Sequence, residues 1–153
     1  MSADTATVAA APSFVLTIAT PTKPMPSLNT LLRSHWAVRG KWRDLIAQEA
    51  MVVKGQMSPD RRARFPLQRA RLEVTVYYCG VQGDATNMVG GITKLCEDAL
   101  TVKTGVGILA DDSPACLESV LPVLVRVAHK RERRVELKVF DLAGQREREG
   151  GQG

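Results

Sequence analysis

Hydrophobic and polar positions along the chain predict strands that alternate with helices. Residues 13–20 form a short apolar, β-branched run that is typical of a strand. From residue 71 to residue 78 apolar and polar side chains alternate with a period of two, which predicts a strand with one buried face. Residues 117–128 and 134–142 carry two further strand patterns, and the short charged link between them favours a hairpin. Pro122 cannot donate a ladder hydrogen bond, so we expect it at an edge or a bulge.

Two helices are predicted between these strands. The first begins near Val38 or Lys41 and ends at Lys54, because Gly55 follows. The second follows Asp84, and Thr86 or Asn87 can cap its start. Its apolar positions recur at the spacing of one helix face: Met88, Ile92, Leu95, Ala99 and Val102.

This order of elements, β-α-β-α-β-β, predicts a single α+β domain with a mixed sheet and two main helices packed on it. We place that domain at residues 13–142, and we expect residues 1–12 and 143–153 to be disordered tails. A chain of 153 residues that is 44% hydrophobic is long enough to bury one core.

Composition limits the partners, the compartment and the cofactors that we expect for the protein. The net charge of +5 is a weak indication of an acidic partner such as nucleic acid, and a solvated basic surface explains it equally well. The three cysteines fit neither a C-x-x-C motif nor a zinc pattern, which favours reduced thiols in a cytoplasmic protein. No apolar run is long enough to span a membrane, so we expect no membrane partner, and we expect no organic cofactor.

The segment from Gly83 to Leu100, "GDATNMVGGITKLCEDAL", carries a second helix face beside the apolar one. Asn87, Gly91, Lys94 and Asp98 follow one another at intervals of four, three and four residues. Two adjacent glycines inside a helix cost about 1 kcal/mol each relative to alanine, which indicates a close approach to the backbone. A packed helix, a second copy of the chain or a DNA phosphate would each explain that approach.

Acidic residues follow two elements whose ends can converge. Asp84 lies between a strand and a helix, and Asp111 and Asp112 lie in a loop before the next strand. Converging carboxylates are hard oxygen ligands that suit Mg²⁺ or Mn²⁺, and such a metal can activate water for phosphodiester cleavage. Spacing alone leaves the commoner alternatives open, because an Asp before a helix is usually a cap and an Asp-Asp pair usually forms a turn.

Three motifs, in order, resemble the RusA family of Holliday-junction resolvases, especially its phage-type members. "PSLNTLLRSHW" (residues 26–36) resembles the early P-S-x-N segment of the family. "DATNMVGGITKLCEDAL" resembles its central D-x-D-N-x-x-G-G-x-x-K-x-x-x-D-x-L pattern, and "GVGILADDSP" its Asp-Asp segment. The resemblance covers residues 14–142 and implies a homodimer that nicks four-way DNA junctions with Mg²⁺, with one active site per protomer.

Carried over by position, the resemblance assigns roles to individual residues. Asp84 corresponds to the first metal-binding Asp, Asp112 to the last catalytic Asp and Asp111 to its neighbour. Lys94 corresponds to the essential helix Lys, and Asn87 to the Asn at the helix start. The resemblance therefore implies catalysis by Asp84, Lys94 and Asp112, and a metal bound by Asp84, Asp111 and Asp112.

Thr86 departs from the family pattern, because the family has a second Asp at that position. A Thr hydroxyl is a neutral and weaker ligand for a hard cation than a carboxylate. Three interpretations stay open. The protein is an enzyme with a modified metal site, an enzyme that depends on Asp84, Asp111 and Asp112, or a branched-DNA-binding protein that has lost cleavage.

Basic residues form three groups along the chain, around the first helix, before the second strand and in the link at residues 130–134. Such groups on a small domain fit binding to DNA phosphates, and we favour the group before the second strand, while the link stays open. The predicted DNA contacts are Asn29, Arg33, Arg39, Arg61, Arg62, Arg64, Arg69, Asn87 and Lys94. In the strand at residues 71–78, alternation places Tyr78 in the core and leaves Tyr77 free to stack on bases.

Overall fold

Five strands form one mixed sheet in the computed structural model of the chain, which describes residues 11–19, 36–80 and 85–143. The side chains of residues 36–38, 85–91 and 119 lie outside that description. The strands are β1 (Phe14–Ala19), β2 (Ala70–Cys79), β3 (Leu117–Ser119), β4 (Val123–Val127) and β5 (Arg134–Asp141). The helices are α1 (Trp36–Gly55), α2 (Pro59–Arg62) and α3 (Ala85–Leu100). The predicted α+β fold class, a mixed sheet with helices packed on it, is confirmed.

The sheet is built around β2, which has neighbours on both sides. On one side β5 lies antiparallel between β2 and β1, and on the other side β3 and β4 run parallel to β2. The predicted hairpin between the last two strands is therefore wrong, because β4 and β5 flank opposite sides of β2. Alternation indicates which side chains are buried, but it does not identify the neighbouring strand.

The strand predicted over residues 117–128 is divided in two. β3 ends at Ser119 and β4 begins at Val123, so Pro122 lies in the break. Pro122 has no backbone N–H with which to continue a ladder, which accounts for the interruption. Both pieces pair with β2, β3 near its start and β4 near its end.

One face of the sheet and the two long helices enclose the core. Alternate residues of β1, β2 and β5 are buried, as the period of two predicts for β2, and they meet Ile46 of α1 and Leu95 of α3. Tyr78, predicted for the core, is only half-buried. The other face of the sheet carries the remaining residues of β2 and β5, and most of them are polar. We use the term polar face of the sheet for those that make the side-chain contacts described below, which are Arg71, Glu73, Tyr77, Arg134, Glu136 and the buried Phe140.

Tyr77 on that polar face is engaged and not free, contrary to the prediction. Its hydroxyl donates to the Glu136 carboxylate at 3.2 Å. The Arg134 guanidinium lies over its ring at 3.7 Å and donates to the same carboxylate at 3.1 Å. These contacts pair β2 with β5 and occupy the ring face that a base would need.

Both long helices differ slightly from their predicted bounds. α1 begins at Trp36, earlier than predicted, and ends at Gly55. α3 ends at Leu100, so Val102 leaves the helix face on which it was predicted and is 50% exposed. The Thr101 and Thr104 hydroxyls donate to the Asp98 and Ala99 carbonyls at 3.1 and 2.6 Å, which satisfies the last turn of the helix.

The remaining predictions concern the tails and the cysteines. The predicted tails lie outside the described residues except for residues 11, 12 and 143. Cys79, Cys96 and Cys116 are free thiols, with Cys96 fully buried and the other two half-buried. Among the described helices, none combines the length and the apolar character that a bilayer span requires.

Candidate functional site

Backbone hydrogen bonds hold the Asp111–Asp112 loop against the end of α3. The Ile108 and Leu109 amides donate to the Leu100 carbonyl at 3.0 and 2.9 Å, which ties the loop to the helix C-terminus. Ile108 and Leu109 are themselves buried, so the loop is anchored by packing as well. The two aspartates that follow are thereby placed beside α3.

Lys94 joins the polar face of α3 to this loop. Its ammonium lies 3.1 Å from the Asp98 carboxylate, one turn along the helix, and 3.4 Å from the Asp112 carboxylate. The Asp112 amide donates to the Asp111 carboxylate at 2.9 Å, and the Lys103 ammonium lies 3.9 Å from that carboxylate. We call these five residues the charged cluster: Lys94, Asp98, Lys103, Asp111 and Asp112.

The protonation states of the cluster follow from these contacts. The hydrogen bond to Asp98 raises the pKa of Lys94, and the charges of Asp98 and Asp112 raise it further against partial burial. Burial acts to raise the pKa of Asp112, but hydrogen bonding within the cluster and the charge of Lys94 outweigh it, so the pKa is lowered. At neutral pH Lys94 is therefore a cation and Asp112 an anion, so Lys94 is suited to stabilise charge rather than to act as a base.

Glu97 lies behind the cluster on α3 and is half-buried. Burial raises the pKa of Glu97, and the charges of Asp112 and Asp98 raise it further, against the lowering effect of Lys94. Burial is the largest of these effects, so the shift does not measure repulsion between the acidic groups. By count, the cluster holds three carboxylates and two ammonium groups, and Glu97 adds a fourth carboxylate. That surplus of negative charge is the setting in which a divalent cation is stabilised.

A cavity of about 400 Å³ adjoins the cluster between α1 and α3. Every residue that lines it is polar or charged, which distinguishes it from the mostly apolar pockets that bind small organic ligands. Asp98 and Asp112 belong both to the cluster and to the cavity wall. The lining residues are Arg43, Asp44, Asp98, Thr101, Lys103, Thr104 and Asp112.

The structure brings together some of the predicted site residues and leaves others outside its description. Lys94, Asp111 and Asp112 lie together in the charged cluster. Asp84, Asn29 and Arg33 lie outside the described residues, as does the side chain of Asn87. At about 1.5 Å per residue, Lys94 lies about 14 Å along the axis from the first residue of α3. The aspartate loop therefore contacts the second half of the helix, whereas Asp84 precedes its first residue.

The predicted arginine contacts occupy two places near the cluster. Arg39 is exposed on α1, one turn before Arg43 at the cavity. Leu67, within the second arginine group, bridges to the aspartate loop, since its amide donates to the Ile108 carbonyl at 2.8 Å and its carbonyl accepts from the Ala110 amide at 3.0 Å. The exposed arginines around that bridge are Arg61, Arg62, Arg64 and Arg69.

Arg71 differs from these four arginines. It lies on the polar face of the sheet, with its guanidinium 4.8 Å from the centre of the Phe140 ring and 3.4 Å from the Glu73 carboxylate. We therefore assign Arg71 to the packing of the sheet rather than to the exposed arginine group.

Sequence reasoning missed three residues around the cluster. The spacing of Asp98 from Lys94, four residues on a helix, is that of an ion pair and could have revealed their contact. Arg43 and Lys103 carried no such signal, because they approach the site from α1 and from the turn after α3. Their positions depend on how the helices pack.

The donor atoms of the cluster fit a magnesium ion only in part. Mg²⁺ in proteins is usually held by one or two carboxylates together with waters and substrate phosphates. Asp111 and Asp112 supply two carboxylates at adjacent positions, and each of them is paired with a lysine of the cluster. Within the described ranges, no group of three or more His, Cys, Asp or Glu side chains is arranged as a metal site. A third protein ligand would have to come from elsewhere in the chain.

Neither the comparison with models of protein families nor the search of curated proteins found a match.

Proposed function

We propose that the protein is a Mg²⁺-dependent endonuclease that nicks branched DNA, with four-way junctions as the substrate that the RusA resemblance implies. The observation that carries the proposal is the position of Lys94, which is shared between the Asp98 and Asp112 carboxylates. Both carboxylates line a cavity whose lining residues are all polar or charged. A lysine placed beside carboxylates is the arrangement that phosphodiester cleavage needs, because charge must be stabilised next to a metal-binding group.

Asp111 and Asp112 would hold the Mg²⁺ ion, and Asp84 is the proposed third ligand. A bound Mg²⁺ would supply an activated water and neutralise charge on the phosphate. Lys94 keeps its proton and faces the anionic transition state, while Asp98 holds its ammonium in place. The exposed arginines beside the loop bind flanking phosphates and orient the strand.

The test compares a labelled four-way junction with a matched linear duplex, each incubated with Mg²⁺ or with EDTA. We expect paired nicks in the junction with Mg²⁺, and we expect Asp112→Asn to lower the nicking rate by at least about 100-fold while junction binding is retained. Asp60→Asn, an exposed aspartate in the first turn of α2, is the matched control and should nick normally. Complete loss of binding by Asp112→Asn, in Mg²⁺ and in EDTA alike, would contradict the proposal.

Asp84 needs a test of its own, because it lies outside the described residues and its role as a metal ligand is a proposal. If Asp84 shares the metal, Asp84→Asn should reduce nicking as strongly as Asp112→Asn and should raise the Mg²⁺ concentration needed for half-maximal rate. Normal nicking by Asp84→Asn would restrict the metal site to the aspartate loop.

A second candidate is a branched-DNA-binding protein without cleavage, and Thr86 favours it. With Thr86 in place of the family Asp, the metal site has one negative charge fewer. Thr86→Asp separates the two candidates, because a large gain of nicking would mean that the natural protein binds without cutting. An unchanged rate in a wild-type protein that already nicks would favour the endonuclease.

A further inference from the structure

Two cations from separate elements line the cavity, and one of them, Lys103, belongs to the charged cluster. Arg43 comes from α1 and Lys103 from the 3-10 turn Val102–Thr104, and both line the cavity together with Asp98 and Asp112. Neither position follows from the resemblance, and neither was among the predicted site residues.

The cations are held loosely by their carboxylate partners. Arg43 lies 3.4 Å from the neighbouring Asp44, and this pair is largely exposed. Lys103 lies 3.9 Å from Asp111 and is 74% exposed. Exposed ion pairs of this length contribute little to stability, so both side chains can exchange a carboxylate for another anion at low cost.

The shape and lining of the cavity define the chemistry of its occupant. A volume of about 400 Å³ lies within the range of ligand sites, about 300–1,000 Å³, and leaves room for a length of DNA backbone. The wall offers ionic and hydroxyl groups and no apolar side chain. A hydrated, charged chain such as a phosphodiester strand fits such a wall, whereas an apolar ligand would find no partner there.

The charge balance of the site makes anion binding depend on a cation. The lining residues together with Lys94 and Asp111 comprise three cationic and four anionic side chains. The C-terminal end of α3, which also faces this region through Thr101, adds partial negative charge. A phosphate that entered this site alone would be repelled, but a bound divalent cation reverses the balance.

We infer that the cavity between α1 and α3 binds a backbone phosphate of the DNA strand next to the position of cleavage, with Arg43 and Lys103 as its contacts, and that this binding requires a divalent cation. The inference rests on the proposed function, because it places the strand relative to the charged cluster. To the proposed function it adds a phosphate subsite and an order of binding, in which the cation binds before the DNA strand.

The experiment measures binding of a fluorescent four-way junction to the full-length protein in Ca²⁺ and in EDTA, at several salt concentrations. Arg43→Ala and Lys103→Ala should each weaken binding in Ca²⁺ by about three- to tenfold and reduce the salt slope by about one. In EDTA each variant should bind within about twofold of the wild type, because the unneutralised site excludes the phosphate.

Arg131→Ala is the matched control. Arg131 is an exposed arginine in the turn Lys130–Glu132. That turn leads into β5, whose first residue, Arg134, pairs with Tyr77 near the end of β2. Leu109 bridges both Thr101, which lines the cavity, and Leu67, which precedes β2, so the cavity lies toward the start of β2 and Arg131 toward its end. Any change in affinity for this control should be the same in Ca²⁺ and in EDTA. Thermal unfolding of all three variants checks that the fold is intact.

The outcomes separate the inference from the proposed function. If the wild type binds and nicks the junction but Arg43→Ala and Lys103→Ala bind as it does in Ca²⁺, the subsite is wrong and the endonuclease proposal stands. Equal losses in Ca²⁺ and EDTA would also overturn the inference, since they would show ordinary surface attraction. If the wild type neither binds nor nicks the junction, the proposed function itself fails.

Discussion

Arg134 on the polar face of the sheet and Lys94 in the charged cluster are both cations beside carboxylates, yet they are held differently. The Arg134 guanidinium lies over the Tyr77 ring at 3.7 Å and donates to Glu136 at 3.1 Å, so its position is fixed by a ring and a carboxylate at once. Lys94 is 61% exposed and is shared between two carboxylates on different elements. The first arrangement stabilises a strand pair, and the second leaves a cation that can turn to a ligand.

The largest effect is expected from the replacement of Lys94, which we predict to be needed for nicking but not for stability. We expect Lys94→Met to lower the rate of junction nicking by at least about 100-fold, because the charge that stabilises the transition state is lost. The free energy of unfolding should change by less than about 1 kcal/mol, since exposed ion pairs contribute little. Gel assays of nicking and urea unfolding measure the two quantities.

Lys138→Met is the control for that substitution. Lys138 is an exposed lysine on β5, opposite Glu73 of β2. Its replacement should leave nicking within about twofold of the wild type, as for other exposed positions away from a site. Equal loss of nicking in the two variants would mean that total positive charge, and not the position of Lys94, governs the reaction.

Arg134→Ala tests the converse prediction, that Arg134 contributes to stability and not to nicking. The loss of the ring contact and of the hydrogen bond to Glu136 should lower the free energy of unfolding by about 1–3 kcal/mol. Nicking by the protein that remains folded should be unchanged. Arg126→Ala, an exposed arginine on β4, serves as control in the same urea titration. A stable Arg134→Ala protein that no longer nicks would place this face in the function.

The smallest effect is expected from Glu97→Gln, and it depends on pH. Burial raises the folded-state pKa of Glu97, so its ionised form destabilises the fold above that pKa and costs nothing below its unfolded pKa, about 4.3. Glu97→Gln should therefore raise the melting temperature at pH 7.5 by at most about 4 °C, and the difference should vanish as the pH falls toward 4. A gain that is the same at both pH values would assign the effect to packing instead.

The sequence predicted which side chains are buried better than it predicted which strands pair. Alternation correctly identified the buried face of β2, because each buried position needs an apolar residue whatever the neighbour is. It gave no information on the parallel pairing of β4 with β2, and the short link between the last two strands led to the wrong hairpin. Val102 was assigned wrongly for a related reason, since helical spacing continued past the point where the threonine hydroxyls end α3.

The candidate site was also predicted only in part, because motifs identified some of its residues and helix packing brings in the others. Lys94 and the aspartate loop were predicted as site residues from motifs, and the structure places them in contact. Arg43 and Lys103 join them through the packing of α1 against α3 and through the turn closed by Gly105, whose φ of +86° favours glycine. Contacts between elements far apart in sequence have no local pattern, so a single sequence does not reveal them.

The position of β5 between β1 and β2 has a consequence for how the chain is made. Strand β1 pairs only with β5 among the described strands, and β5 ends at Asp141. During synthesis the ribosome must therefore add more than a hundred residues after β1 before its neighbour β5 emerges. Pairing over such long separations is slow, and it leaves an apolar strand edge exposed to other chains. A nascent chain that stops before Arg134 should depend on chaperones to remain unaggregated, whereas the finished chain should fold without them.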